Sequence, residues 1–120
     1  MPLRRPPHGA ELFDVAVSGA VSRIRRFAPD AIGRVTIGIE DVPPPEASWA
    51  ISRVPLAAAV EATTEQGPRI VLYRRPIEHR AVTSQGLRIL VHRTLVEQLS
   101  ALTGRSAADL DPTGYADGDD

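Results

Sequence analysis

The sequence predicts an α+β fold, in which a small twisted sheet packs against two main helices. Residues 11–27 and 84–103 carry apolar side chains at the three- and four-residue steps of a helix, whereas residues 34–40 and 69–74 have the patterns of strands. The chain has 120 residues, which is the size of one domain. Because only 4% of the residues are aromatic, aliphatic side chains must fill the core.

The first helix and the first strand are separated by a proline. Pro29 ends the helix predicted at residues 11–27, and the proline-rich residues 1–10 before it are expected to form a flexible arm. In residues 34–40, apolar side chains alternate with polar ones, which is typical of a half-buried strand. The prolines at positions 43–45 end this strand because proline cannot donate a hydrogen bond to a sheet.

The middle of the chain has the weakest pattern. Over residues 43–68 we expect a long loop with one short strand or helical turn around residues 56–61. A loop of that length in a compact domain is unusual unless it acts on a ligand or a partner. Residues 69–74 then predict a second strand, which Pro76 ends.

The longest helix is predicted at residues 84–103. Thr83 or Ser84 can cap its start, and Gly104 suits the left-handed position past its end. Ser106 then predicts the cap of a final short turn. The helix has an apolar stripe made of Leu87, Leu90, Val91, Leu95, Leu99 and Leu102.

The composition limits the partners and the compartment. Arginine supplies all 14 basic residues, which we attribute to codon use in a GC-rich bacterial genome, and 15 acidic residues bring the net charge to −1. Because the arginines are spread along the chain, we expect no nucleic-acid partner. Cysteine is absent, which excludes disulfides, thiolate zinc sites and cysteine nucleophiles. No apolar run approaches the roughly 18 residues that cross a bilayer and no secretion signal is visible, so we expect a cytoplasmic protein without a membrane partner.

Few side chains suggest chemistry. We expect each histidine to be a surface or boundary residue, and His92 and Glu97 point about 140° apart on a helix, so they cannot chelate one ion together. Asp109 and Asp111 are interpreted as capping residues. Arg74 and its neighbour could meet a carboxylate or a phosphate, although a salt-bridged or solvated strand edge is the favoured interpretation. The histidines are His8, His79 and His92.

The order of the elements resembles that of the minimal zincins, which are small bacterial metallopeptidase-like proteins. The first strand ends in IEDVPP, and the stretch VLYRRPI at residues 71–77 is the most specific local match. The resemblance covers about residues 11–115, which we expect to form a single zincin-like domain followed by a disordered acidic tail at residues 116–120. It implies a zinc site on the long helix with the signature His-Glu-x-x-His-x-x-Gly-x-x-Asp. There, two histidines on one helix face hold Zn²⁺ and the glutamate activates a metal-bound water.

This sequence departs from that signature where the metal would bind. A gap-free alignment is anchored on Gly104, Leu110, Gly114 and Tyr115. It places Glu97 at the first ligand and Gln98 at the general base. The second ligand position then holds Ala101, and the third holds Ala107. Sliding the frame by one residue makes Glu97 the base but puts Val96 and Ser100 in place of the histidines. Because alanine has no donor atom and glutamine cannot act as a carboxylate base, we assign no catalytic residue, no metal ligand and no cofactor.

The resemblance therefore favours a metallopeptidase-like domain that has lost its zinc ligands and its general base and that binds a peptide or protein, or acts as a scaffold. In the parent fold, an exposed sheet edge beside the helix accepts an extended peptide by strand addition. Trp49, Tyr73 and Arg74 are the candidate contact residues. Trp49 could equally well plug the loop onto the core.

Two alternatives stay open. The first is a zinc metallopeptidase with a non-standard site, in which Glu97 is joined by His92, His79 or Asp109. The second is a structural role through a homodimer. Metal content separates the first from the peptide-binding hypothesis, and light scattering tests the second.

Overall fold

The computed structural model describes residues 9–45 and 54–114, and over these residues the fold is α+β, as predicted. A small mixed sheet of three strands and two long helices enclose one apolar cluster, with short helices at the connections. In chain order the elements are α1 (Gly9–Phe27), α2 (Pro29–Ile32), β1 (Thr36–Glu40), β2 (Ala57–Val60), β3 (Arg69–Tyr73), α3 (Arg74–Arg80), α4 (Ser84–Thr103) and α5 (Ala107–Leu110).

The sheet has the order β1-β3-β2, so the last strand in the chain is the central one. β1 runs parallel to β3, and β2 runs antiparallel to it. Ile70 and Leu72 of β3 are fully buried, as expected of alternate residues on the covered face of a central strand. The sheet therefore has two outer edges, one on β1 and one on β2.

The core lies between the sheet and the helices α1 and α4, which pack against each other. Their apolar stripes and the inner face of β3 form one continuous cluster. The largest fully buried apolar side chains are Phe13, Ile24, Ile70, Leu72, Ile77, Leu95, Leu99 and Leu110. Among the described residues, no helix combines the length and the apolarity needed to cross a bilayer.

The predicted ends of the long helix are confirmed by their capping bonds. The Thr83 hydroxyl accepts a hydrogen bond from the Gly86 N–H at 2.9 Å. Gly104 adopts φ +77°, a left-handed conformation that favours glycine, and its N–H donates to the Ser100 carbonyl at 2.8 Å. The Ser106 side chain caps the last short helix, as predicted.

Two short helices, α2 and α3, lie outside the helices predicted from the sequence. The second strand ends at Tyr73, and α3 follows at once, because Pro76 sits in the first turn of this helix, where a missing N–H costs no hydrogen bond. Where a short strand or a helical turn was expected around residues 56–61, the structure has a strand, β2. Of the predicted arm at residues 1–10, the structure describes only the last two residues, which begin α1, and the predicted tail at residues 116–120 lies outside the described part.

Candidate functional site

Three of the four positions that the predicted alignment assigns to chemistry lie on α4. Glu97 and Ala101 are exposed, and they share a helix face because they are four residues apart. Gln98 is half-buried beside them. Ala107, at the third ligand position, is exposed at the start of α5.

The donor groups at these positions do not suit zinc. Glu97 brings one carboxylate, Gln98 brings a neutral amide, and the alanines at 101 and 107 bring no donor atom. Catalytic zinc takes about three protein ligands from nitrogen, sulfur or carboxylate oxygen. Across residues 9–45 and 54–114, the structure brings together no group of three histidine, cysteine, aspartate or glutamate side chains that could hold a metal ion. The residues present therefore do not fit the metal that the signature implies.

The predicted surface or boundary position of His92 is wrong, because this side chain is fully buried. It projects from α4 towards the turn that follows α5, where its Nε2 lies 2.8 Å from Oδ2 of Asp111. With His92 neutral, its Nε2–H donates to that carboxylate. His92 is therefore not positioned to join Glu97 in a non-standard metal site.

Asp111 does more than the predicted capping. Its Oδ1 accepts a hydrogen bond from the Thr113 N–H at 3.0 Å, which is the local bond expected of a capping aspartate. Its Oδ2 also accepts from Arg23 Nε of α1 at 3.2 Å, and Arg23 Nη2 donates to the Thr113 hydroxyl at 2.7 Å. The Asp111 side chain is only 1% exposed. One buried carboxylate thus ties α1, α4 and the turn after α5 together.

Burial and hydrogen bonding set the charges of this network. Burial lowers the pKa of His92, even though the adjacent Asp111 carboxylate acts to raise it. Burial acts to raise the pKa of Asp111, but the hydrogen bonds from Thr113 and His92 together hold that pKa below its usual value. At neutral pH the network therefore contains a neutral imidazole and an ionised carboxylate.

The candidate contact residues occupy different environments. Tyr73 is 5% exposed at the end of β3, and burial raises the pKa of its phenol. Arg74 is half-buried and donates to Asp41 at 2.9 Å and to Glu78 at 3.2 Å, which confirms the salt-bridged interpretation of this strand end. Trp49 lies outside the described residues. The structure brings Tyr73 and Arg74 together at one end of the sheet, and the contact roles of all three residues stay predictions.

The outer edge of β2 is open within the described part of the chain, since β2 is the last strand on its side of the sheet. The Tyr73 N–H donates to the Leu56 carbonyl at 2.9 Å. Antiparallel strands alternate between hydrogen-bonded and non-bonded pairs, so Leu56 and Ala58 bond to β3, whereas Ala57 and Ala59 direct their backbone groups outwards. This edge lies beside α4, because β2 packs against that helix.

A family model described as a zincin-like metallopeptidase matches residues 32–115 of this chain. The match runs from the end of α2 to just past α5 and so includes the whole sheet and the long helix. The chain therefore belongs to the zincin-like metallopeptidase family, and the resemblance inferred from the sequence is confirmed. A comparison with curated proteins finds no match.

Proposed function

We propose that this zincin-like domain binds an extended peptide, or an extended segment of a protein, without cleaving it. The observation that carries the proposal is the set of side chains on one stripe of α4, of which Glu97 and Ala101 are exposed and Gln98 is half-buried. Glu97, Gln98 and Ala101 stand where two imidazoles and a glutamate would be needed. With one carboxylate and no imidazole, this stripe can neither hold catalytic zinc nor activate a water molecule.

The open edge of β2 supports the binding half of the proposal. Ala57 and Ala59 each direct one N–H and one C=O outwards, which gives an added strand four backbone hydrogen bonds. Each such bond contributes about 0.5–1.5 kcal/mol net of the competition with water. The strand carries only Ala and Val side chains, so it has none of the charges that keep many natural edges from pairing. This edge suits a ligand that binds mainly through its backbone.

A pair of proline substitutions tests which edge accepts the peptide. Ala59→Pro removes an outward N–H of β2 and leaves its ladder with β3 intact. The matched control is Ile39→Pro on β1. The Thr36 N–H donates to the Pro68 carbonyl at 3.1 Å, so Thr36 faces β3. Because successive residues of a strand face opposite sides, Ile39, three residues further on, directs its backbone groups away from β3. With blocked, fluorescein-labelled octapeptides in an anisotropy titration, we expect Ala59→Pro to weaken binding about tenfold and Ile39→Pro to leave it unchanged.

The same titration separates the alternatives. Mass spectrometry of the recovered peptides is expected to show them intact, and cleavage would instead favour the zinc metallopeptidase with a non-standard site. Light scattering tests the homodimer: a dimer that Ala59→Pro converts to a monomer would mean that a second copy of the chain, and not a foreign peptide, occupies the edge. Binding that is sensitive to Ile39→Pro alone would contradict the assignment of the β2 edge.

A further inference from the structure

A groove of about 760 Å³ opens at the end of the sheet where β2 begins. Its walls come from the residues after β1, the residues before β2 and the helix α3. Val42, Val54 and Leu56 supply apolar surface, and Arg75, His79 and Arg80 of α3 line the opposite side. This combination of apolar and cationic surface differs from the exposed stripe of α4, which is not part of the groove.

The apolar side of the groove is exposed to solvent. Val42 is 54% exposed and Val54 is 48% exposed, and these are two of the five large hydrophobic side chains that the described residues leave exposed. Single exposed valines are ordinary, but two of them beside the half-buried Leu56 in one groove form an apolar patch. An aliphatic side chain of a ligand can pack against such a patch.

The opposite side of the groove carries uncompensated positive charge. Within the described part of the chain, neither Arg75 nor Arg80 forms an ion pair, and both are exposed. The carboxylate in the groove, that of Glu78, has both of its oxygens 3.2 Å from Arg74 Nη1. Two guanidinium groups are therefore available to carboxylates of a ligand.

The groove continues the open edge of β2. The Leu56 carbonyl already belongs to the ladder with β3, and Val54 lies two residues before it. A peptide that runs antiparallel to β2 pairs with Ala59 and then with Ala57, and because it advances about 3.3 Å per residue, the residues on its C-terminal side reach the groove. We propose that the groove selects extended peptide segments in which an aliphatic residue is followed by aspartate or glutamate. The proposal rests on the peptide binding proposed above and adds the chemistry of the preferred sequence.

The test uses three blocked, labelled octapeptides that differ only at their sixth and seventh residues: SVTVLDES, its neutral counterpart SVTVLNQS and its basic counterpart SVTVLKRS. We expect the acidic peptide to bind the full chain several-fold more tightly than the neutral one, because each exposed ion pair is worth about a two- to fivefold change in affinity.

The double variant Arg75→Glu/Arg80→Glu should reverse this order. The matched control is Arg25→Glu/Arg26→Glu, which changes the net charge equally on exposed residues of α1 that do not line the groove. The neutral variant Arg75→Gln/Arg80→Gln, which should abolish the preference, serves if the charge reversal impairs folding.

The outcomes separate the two proposals. Equal affinity for the three peptides, with loss of binding in Ala59→Pro, would overturn the groove selectivity and leave strand addition intact. A preference for the acidic peptide that survives Ala59→Pro would support the groove and contradict pairing at the β2 edge. A preference that the Arg25→Glu/Arg26→Glu control abolishes as fully as the groove variant would overturn the groove assignment. Absence of binding to all three peptides would overturn both proposals.

Discussion

Helix α4 carries polar residues on two sides, and the two sides differ in what surrounds them. On the buried side, His92 meets a carboxylate that also accepts hydrogen bonds from α1 and from the last turn. On the exposed side, Glu97 and Ala101 occupy the positions that the alignment predicted from the sequence assigns to metal ligands. Burial and a carboxylate partner make His92 part of the scaffold, whereas the exposed side is where we propose that the zinc ligands have been lost.

The largest effect is expected on the buried side. Asp111→Ala removes the acceptor of the His92 Nε2–H and of Arg23 Nε, and each buried donor that is left without its acceptor costs about 1–3 kcal/mol. Urea denaturation measures this loss. The control is Asp109→Ala, which removes an exposed carboxylate 4.0 Å from Arg105 and should change stability by less than about 0.5 kcal/mol. Equal effects of the two substitutions would contradict the role of Asp111 as the shared acceptor on the buried side of α4.

A second prediction restores the signature on the exposed side. The variant Glu97→His/Gln98→Glu/Ala101→His/Ala107→Asp places two imidazoles on one exposed helix face. Because three of the four positions are exposed and Gln98→Glu keeps the size of the half-buried side chain, we expect this variant to fold and to gain zinc binding, and zinc at 100 times its Kd should stabilise it by about 2.7 kcal/mol. Thermal unfolding with and without zinc, compared with the natural chain, measures this gain. Failure to bind zinc would show that the exposed face lacks the geometry of the family site.

The third prediction concerns pH. Because burial lowers the pKa of His92, the unfolded chain takes up this proton more readily than the folded chain, so stability should fall as the pH drops below about 6.5, by at most about 1.4 kcal/mol per pH unit. The pKa of Asp111 is also lowered, so its contribution is present above its usual value of 3.8 and is lost as the pH falls through its folded pKa. Denaturation from pH 8 to pH 4 measures the first loss, and continuing the series to about pH 2 measures the second. In His92→Gln the first loss should disappear, and its persistence there would contradict this assignment.

The smallest effect is expected from Glu97→Ala. The side chain is exposed, so stability should change by less than about 0.5 kcal/mol in urea denaturation. The control is His92→Ala, which empties a buried position on the same helix and should cost several times more. A loss above about 1.5 kcal/mol for Glu97→Ala would indicate that this carboxylate has a partner that the exposed stripe does not reveal.

The regular elements of the fold could be predicted because their signals are local. The apolar stripe, Thr83 and Gly104 define α4, and the alternating apolar residues define β1. The helix α3 was missed because Pro76 suggested a break, whereas proline is compatible with a first helical turn. The bond between Tyr73 and Leu56, which fixes the outward groups of β2, depends on strand pairing and has no local signal.

The buried network could be predicted only in part. His92 precedes the buried Leu95, Val96 and Leu99 by three, four and seven residues, which is the spacing of one helix face and a signal that it lies inside. Its partner Asp111 lies 19 residues further on, and Arg23 lies 88 residues before Asp111. Such distant pairings are set by tertiary packing, so the sequence alone could not join these three side chains.

The metal content of the natural chain decides whether this domain can hold zinc. The protein is purified without chelators, equilibrated with a small excess of zinc, dialysed and analysed by mass spectrometry for bound metal. Because the stripe at Glu97, Gln98 and Ala101 offers one carboxylate and no imidazole, we expect far less than one zinc ion per chain. One tightly held zinc ion per chain that is lost in Glu97→Ala would contradict the proposed loss of the zinc site and would favour the zinc metallopeptidase with a non-standard site.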